Sequence, residues 1–299
     1  MRIFMVGATG TVGKATLAEL LLRGHDVFSF GRAQGNVTDA SSIERDGFRD
    51  EAFDAVVSCM ASRSGLPRDA WAIDHKAHSL LLAAAKKNGV KQFVLLSAIC
   101  VQKPKLAFQH AKLAFEAELI ASGINYSVVR PTAYFKSLSG QVARVQKGKP
   151  YLIFGDGRLT SCKPISDQDL ARFMANCLED SALQNAILPI GGPGPAMTPR
   201  EQGEALFQIM GQPPKFRAVP VALLTGIIFV LRALGLSDKA ELARIGRYYA
   251  TESMLAWNPS TNQYDAAATI SFGADTLQQF HAKLLLGEAS VDLGEHAVF

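Results

Sequence analysis

The chain has 299 residues, 48% of them hydrophobic, and 31 Lys and Arg against 27 Asp and Glu give a formal net charge of +4. That length can bury a substantial core and suits one α/β domain with a smaller appended lobe. No basic block is long enough for a nucleic-acid footprint, which argues against a nucleic-acid partner. Cys59, Cys100, Cys162 and Cys177 show no C-x-x-C spacing, so reduced thiols are expected rather than a zinc or iron–sulfur site.

At the N-terminus an apolar run, 3–6, leads directly into a glycine-spaced turn and then a helical pattern in MRIFMVGATGTVG. Gly7 permits the tight turn, Gly10 lets backbone approach a pyrophosphate, and Gly13 allows close helix–strand packing. The pyrophosphate would sit at the positive end of the helix starting near Thr11, with Thr9 and Val12 in the same turn. The G-x-x-G-x-x-G spacing resembles that of the extended and atypical short-chain dehydrogenase/reductases. A second run, 26–30, ends in Gly31-Arg32, where an NAD-preferring domain usually places an acidic residue. Arg32 can hold a 2′-phosphate bidentately, so the expected cofactor is NADP(H).

Further apolar runs at 55–59, 93–96 and 126–129 alternate with helical patterns at 11–23, 69–88, 107–122 and 134–147. This alternation predicts a Rossmann-like, doubly wound parallel α/β sheet, whose ligands bind beyond the carboxyl ends of the strands. Ser58 and Cys59 follow one strand, Ser97 a second, and Pro131, Thr132 and Ala133 a third; in the resembled fold these positions line the nicotinamide cleft. The helix 107–122 carries Phe108 and Lys112 where the short-chain family has its Tyr-x-x-x-Lys pair. One helical turn puts both on the same face. Lysine is retained there and tyrosine is absent. Phe108 can do neither acid nor base work, which disfavours carbonyl reduction and favours hydride delivery to a polarised carbon–carbon double bond. Replacing Lys112 with alanine is expected to impair turnover more than folding.

Beyond Gly148 the rhythm becomes irregular, and a smaller, mostly helical substrate lobe is expected. The predicted division is 1–150 as the nucleotide domain, with 164–192 returning to it, and 151–163 with 193–299 as the substrate lobe. Helices are predicted at 166–179, 199–210, 220–234 and 239–251. The segment AVPVALLTGIIFVL, 218–231, is too short to span a bilayer, which needs roughly 20 apolar residues. It reads as a buried helix or the wall of an apolar pocket, with peripheral membrane contact as the alternative. Met1 leads straight into the first strand, so no leader peptide and a cytoplasmic location are expected.

Residues 90–142, VKQFVLLSAICVQKPKLAFQHAKLAFEAELIASGINYSVVRPTAYFKSLSGQV, resemble the NADPH-dependent divinyl chlorophyllide 8-vinyl reductases, which are atypical short-chain dehydrogenase/reductases. So do KGKPYLIFGDGRLTSCKPISDQDLA at 147–171 and the chain's end, from YYATESMLAWNPSTNQYDAAATISFGADTLQQFHAKLL to DLGEHAVF. The resemblance implies reduction of the 8-vinyl group of a magnesium divinyl tetrapyrrole, chlorophyllide or protochlorophyllide, in (bacterio)chlorophyll biosynthesis. Without a plant-type leader, the expected source is a photosynthetic bacterium, with peripheral contact at its photosynthetic membrane. A vinyl group conjugated to the macrocycle accepts hydride at its terminal carbon because the charge left behind spreads into the ring. Lys112 and Tyr134 are the catalytic candidates, with Tyr151, Cys162 or water as other proton sources. The flat substrate would lie among Phe108, Tyr134, Phe135, Phe154 and the 218–231 helix. Arg158, Lys136 or Lys163 would meet a propionate, and His110 the magnesium. Two other readings stay open: a non-catalytic NADP-sensing regulator of the NmrA-like kind, and an isoflavone-reductase-like enzyme.

Overall fold

The computed structural model describes residues 1–290, so the DLGEHAVF motif and the last part of the expected substrate lobe lie outside the described residues. The strands are β1 (Arg2–Val6), β2 (Asp26–Phe30), β3 (Ala55–Ser58), β4 (Gln92–Leu96), β5 (Asn125–Pro131), β6 (Tyr151–Phe154), β7 (Ala186–Gly191), β8 (Phe216–Val219), β9 (Ala256–Asn258), β10 (Gln263–Asp265) and β11 (Ile270–Ser271). Seven of them form one sheet in the order β11-β7-β5-β4-β3-β1-β2. The pairs β1–β2, β1–β3, β3–β4, β4–β5 and β7–β11 are parallel. Every residue of β3 and β4 is buried, which is why these strands read as unbroken apolar runs rather than alternating ones.

The strand order in the sheet reverses at β1: β2 lies on one side of it and β3 on the other. A crevice at such a switch point is where open α/β sheets bind ligands. The register makes the strand ends level, because Val6 pairs with both Phe30 and Ser58. Gly7, Gly31 and Cys59 therefore leave the sheet along one edge.

Two compact units make up the chain. The first comprises Met1–Pro131 and Asp167–Leu188, the second Thr132–Ser166 and the chain from Pro189 on. In the first unit Phe4 stacks on Phe48 at 4.4 Å and meets Phe53 edge-on at 5.3 Å, a cluster joined by Phe93 and Phe115. Arg23, at the end of the helix Thr11–Leu22, pairs with Glu19 and with Glu179 of the helix Asp167–Glu179, both at 2.8 Å. In the second unit β6 and β8 pair in parallel over a core of Tyr151, Ile153, Leu206 and Phe207. Thr198 and Glu201 cap the helix Pro199–Ile209 reciprocally, satisfying two backbone donors that its first turn would otherwise leave open.

Three expectations need correction. The helix expected over 134–147 is broken into Phe135–Leu138 and Val142–Gln146, where the Ser139 hydroxyl donates to the Phe135 carbonyl at 2.7 Å and Gly140 follows. The helix expected over 69–88 is not uniform: it runs from Pro67–Ala70 through a widened π-helical turn, Trp71–Ala77, into His78–Lys87. The apolar helix Val221–Ala233 is mostly exposed, with Ile228 its buried residue, so it is not a buried helix. The strands β9 to β11, of two or three residues each, carry too few residues to show a period in the sequence.

Candidate active site

The turn after β1 separates glycines the fold needs from the one it does not. Gly7 has φ +78°, and a side chain there would run into the backbone of Cys59 and Met60. A Cβ on Gly13 would overlap the Gly7 carbonyl oxygen. On Gly10, by contrast, a Cβ would meet only that same oxygen, at an ordinary 3.6 Å. Protein packing thus leaves Gly10 free to be larger, unlike Gly7 and Gly13. Gly10 also caps the helix Thr11–Leu22 with no side-chain bond and with no acidic residue in the first turn. That leaves a positive helix end suited to a pyrophosphate. Thr9 and Thr11 are exposed at this turn, and Val12 is buried beneath it.

Arg32 is exposed just beyond β2. The turn carrying it is held by Gln34, whose Oε1 accepts from the Gly31 amide at 3.1 Å. Cys59 serves the turn through its backbone, its amide donating to Val6 at 2.9 Å. Burial pushes its thiol pKa up to about 12, so it is an inert thiol at neutral pH.

Two buried polar clusters stand behind the remaining first-unit residues. The Ser58 side chain meets His78 Nε2 at 2.8 Å, and His78 Nδ1 lies 2.8 Å from the Ile73 carbonyl. Burial, helped by the charge of Lys112, lowers the His78 pKa to about 4, so the ring is neutral. A carbonyl can only accept, so Nδ1 carries the proton and Nε2 accepts from the Ser58 hydroxyl. Lys112 Nζ pairs with Asp74 Oδ1 at 3.0 Å, with side-chain exposures of 11% and 0%. Asp74 also accepts from the Ser62 amide at 3.1 Å and its hydroxyl at 2.5 Å. Burial alone would raise the Asp74 pKa, but Lys112 and the Ser62 bonds together hold it below the usual carboxylate range. Asp74 lies in the π-helical turn, a feature frequent at functional sites.

Ser97, just past β4, donates to the buried carboxylate of Glu116, which is also paired with Arg130 of β5. Leu96 and Val129 are register partners, which sets Ser97 level with Arg130. Phe108 and Lys112 share the helix Ala107–Ile120, whose start is fixed by fully buried Gln109. Its Oε1 accepts from the Lys105 and Leu106 amides at 2.7 and 3.0 Å, and its Nε2 donates to the Cys100 carbonyl at 3.0 Å. Phe108 is 9% exposed and His110 exposed. Pro131 ends β5.

In the second unit the Thr132 amide donates to Ile190 at 2.8 Å and its hydroxyl to the Lys163 carbonyl. Ala133 accepts from the Ile165 amide at 3.1 Å, and Tyr134, half-buried, forms a bridge with Ile165. Phe135 is buried against Phe280, at 5.6 Å between ring centres. Phe154 is half-buried at the end of β6, and Arg158 is exposed in the following turn. Three of the alternatives fare badly. Lys163 is buried with its ammonium on the Thr269 carbonyl at 3.0 Å and the Ser271 hydroxyl at 2.9 Å, so its charge is already engaged. Tyr151 and Cys162 are buried, and burial raises both pKa values, the thiol to about 12, making them poor proton donors.

Asp74, Glu116, His78 and Gln109 were not singled out by motif reading. Buried acidic and imidazole groups demand partners, yet those partners come from other elements that a local pattern does not connect.

A family model described as NAD(P)H-binding matches residues 7–181. The chloroplastic divinyl chlorophyllide a 8-vinyl-reductase of Oryza sativa subsp. indica is 45% identical over 99% of this chain and 82% of its own length. The Arabidopsis thaliana protein of that name is also 45% identical, over 99% of this chain and 79% of its own. Among solved structures, an Escherichia coli NADPH-dependent quinone oxidoreductase, QOR2, complexed with NADPH, has a TM-score of 0.70 at 17% identity, covering 95% of this chain and 99% of that one. Sheet, glycine turn and family match define an NAD(P)H-binding oxidoreductase of the Rossmann-like class. Within that class, the chain belongs to the divinyl chlorophyllide a 8-vinyl-reductase family.

Proposed function

We infer that the chain reduces the 8-vinyl group of a divinyl chlorophyllide, or a closely related magnesium tetrapyrrole, to an ethyl group at the expense of NADPH. The observation that carries this reading is the 45% identity over 99% of the chain to reductases named for that reaction. The first unit is the nucleotide domain in this reading, and the second supplies the substrate side. Peripheral contact with a membrane belongs to the same reading.

The residues fit the cofactor, because Gly10 leaves an open approach to the helix end and Arg32 offers a guanidinium for a 2′-phosphate. NADPH supplies the hydride when bound. Lys112, its ammonium fixed by Asp74, orients the nicotinamide ribose. Phe108 removes the proton-exchanging tyrosine, which a vinyl group does not need because no oxygen takes part in the reaction. Ser97 is held in one rotamer by Glu116 and lines the cofactor side. Tyr134 is the proton donor that completes the ethyl group.

The direct test incubates the full chain with NADPH and divinyl chlorophyllide a, then separates the pigments and records their spectra. The expected result is a monovinyl product with a blue-shifted Soret band, formed in step with NADPH consumption. Intact divinyl pigment with NADPH bound but unconsumed would favour the NADP-sensing regulator instead. Replacing Arg32 with alanine is expected to raise the NADPH Michaelis constant about tenfold or more, a charge-assisted bidentate contact being worth well over 1 kcal/mol, and to leave NADH kinetics nearly unchanged. Steady-state kinetics with both nucleotides check this, and equal effects on the two would remove Arg32 from the 2′-phosphate role.

A further inference from the structure

The helix Val221–Ala233 and the turn after it point apolar side chains outward. Leu223, Phe229, Val230 and Leu234 are 54%, 73%, 52% and 67% exposed. At 100° per residue, Leu223, Ile227, Val230 and Leu234 make one stripe and Phe229 widens it, giving an exposed apolar arc of about 160°. A Cβ on Gly226 would meet nothing within 4 Å, so the groove beside it is not filled by the described chain. Apolar exposure on this scale marks an interaction surface rather than scattered surface residues.

Charge says what covers it. Residues 215–247 carry six Lys and Arg against two Asp and Glu, so this stretch alone accounts for the whole net charge of +4. Lys215 and Arg217 precede the helix, Arg232 sits in its last turn and Lys239 follows it, all exposed. A second copy of the chain would bring the same cationic rim against itself. An anionic surface with an apolar interior satisfies both the rim and the stripe. The helix has 13 residues, about 20 Å of length, against about 30 Å of bilayer hydrocarbon, and among the described residues no helix is long and apolar enough to cross a membrane. It can lie in the headgroup plane and cannot span.

We propose that the Val221–Ala233 helix is a lipid-docking surface that seats the protein on an anionic bilayer, with Phe229 and Leu234 entering the acyl boundary and the flanking Lys and Arg meeting phosphate headgroups. The proposal deepens the membrane contact of the proposed function, but it is argued from the exposed helix and its charge, so failure to dock would leave the reductase reading in place.

The test is flotation of the full chain with phosphatidylcholine vesicles, with and without phosphatidylglycerol. The native protein floats with the anionic vesicles only, and added salt weakens the association. The double substitution Phe229→Glu with Leu234→Glu, at exposed positions, lowers vesicle binding about tenfold or more and leaves melting temperature and NADPH affinity unchanged. Lys215→Gln and Arg217→Gln each lower it about fivefold. Failure to bind anionic vesicles, equal binding to neutral ones, or undiminished binding by the Glu variant overturns the proposal. So does a dimer in sedimentation that the Glu variant splits, which would assign the face to a second copy.

Discussion

Replacing Lys112 with alanine is expected to destabilise the protein by about 3–5 kcal/mol as well as to stop turnover, because it leaves a buried carboxylate without its counter-charge. The sequence alone suggested a mainly catalytic effect. Asp74, with a fully buried side chain, changes that expectation. A single alanine variant therefore cannot separate catalysis from folding, and the informative variant is Lys112→Met combined with Asp74→Asn. It removes both charges together, so it should recover most of the lost stability in urea denaturation while remaining inactive. Recovery of turnover as well would make Lys112 a structural partner only.

The same pair sets a pH dependence. The folded pKa of Asp74 is depressed relative to its unfolded value near 3.9, so the unfolded chain binds more protons on the acid side. The contribution is present above about pH 4 and is lost as pH falls through the lower folded value. The stability difference between the native protein and the double variant should be level from neutrality down to about pH 5 and change below pH 4. A difference that stays level down to pH 2 would show that folding does not shift the Asp74 pKa, and one that slopes above pH 4 would show a carboxyl kept protonated in the folded state.

The glycine turn supports the second large effect, which divides three residues that look alike in the sequence. Gly7→Ala and Gly13→Ala are each expected to cost about 3 kcal/mol or more or to prevent folding, the first through a left-handed φ of +78° and both through backbone overlap. Gly10→Ala should fold within about 1 kcal/mol of the native protein, since its Cβ has room. Its NADPH affinity should nevertheless fall at least about tenfold, because the methyl group occupies the pyrophosphate's approach. Thermal melts and fluorescence titration with NADPH measure the two quantities. Native-like affinity in Gly10→Ala would place the pyrophosphate elsewhere.

The strands β1, β3, β4 and the middle of β5 were legible because strands buried on both faces are nearly continuous apolar runs, while β2, at the sheet edge, is only partly buried and was read from its place after the first helix. The helices beside them were legible by their alternation with those runs. The break at Ser139 was harder, since serine and glycine also occur inside helices and neither by itself ends one. The apolar helix at 221–233 was read as covered because hydrophobicity reports a preference for burial and not what is available to provide it.

By itself the sequence determined the α/β class, the nucleotide turn with its three glycines, the cationic residue after β2, and the pairing of Lys112 with a phenylalanine in place of the acid. All of these are local: they lie within one turn or one helix, where chain geometry dictates which groups meet. Only the tertiary structure decided that Lys112 is bound to Asp74, that Ser58 is held by neutral His78 and Ser97 by Glu116, and that Gly10 alone of the three glycines has room. The last two hydroxyl contacts join residues 20 and 19 positions apart on different elements. Such pairings follow from how strands and helices stack around the core, and the free energy that selects them comes from burying charges and dipoles that must then find partners.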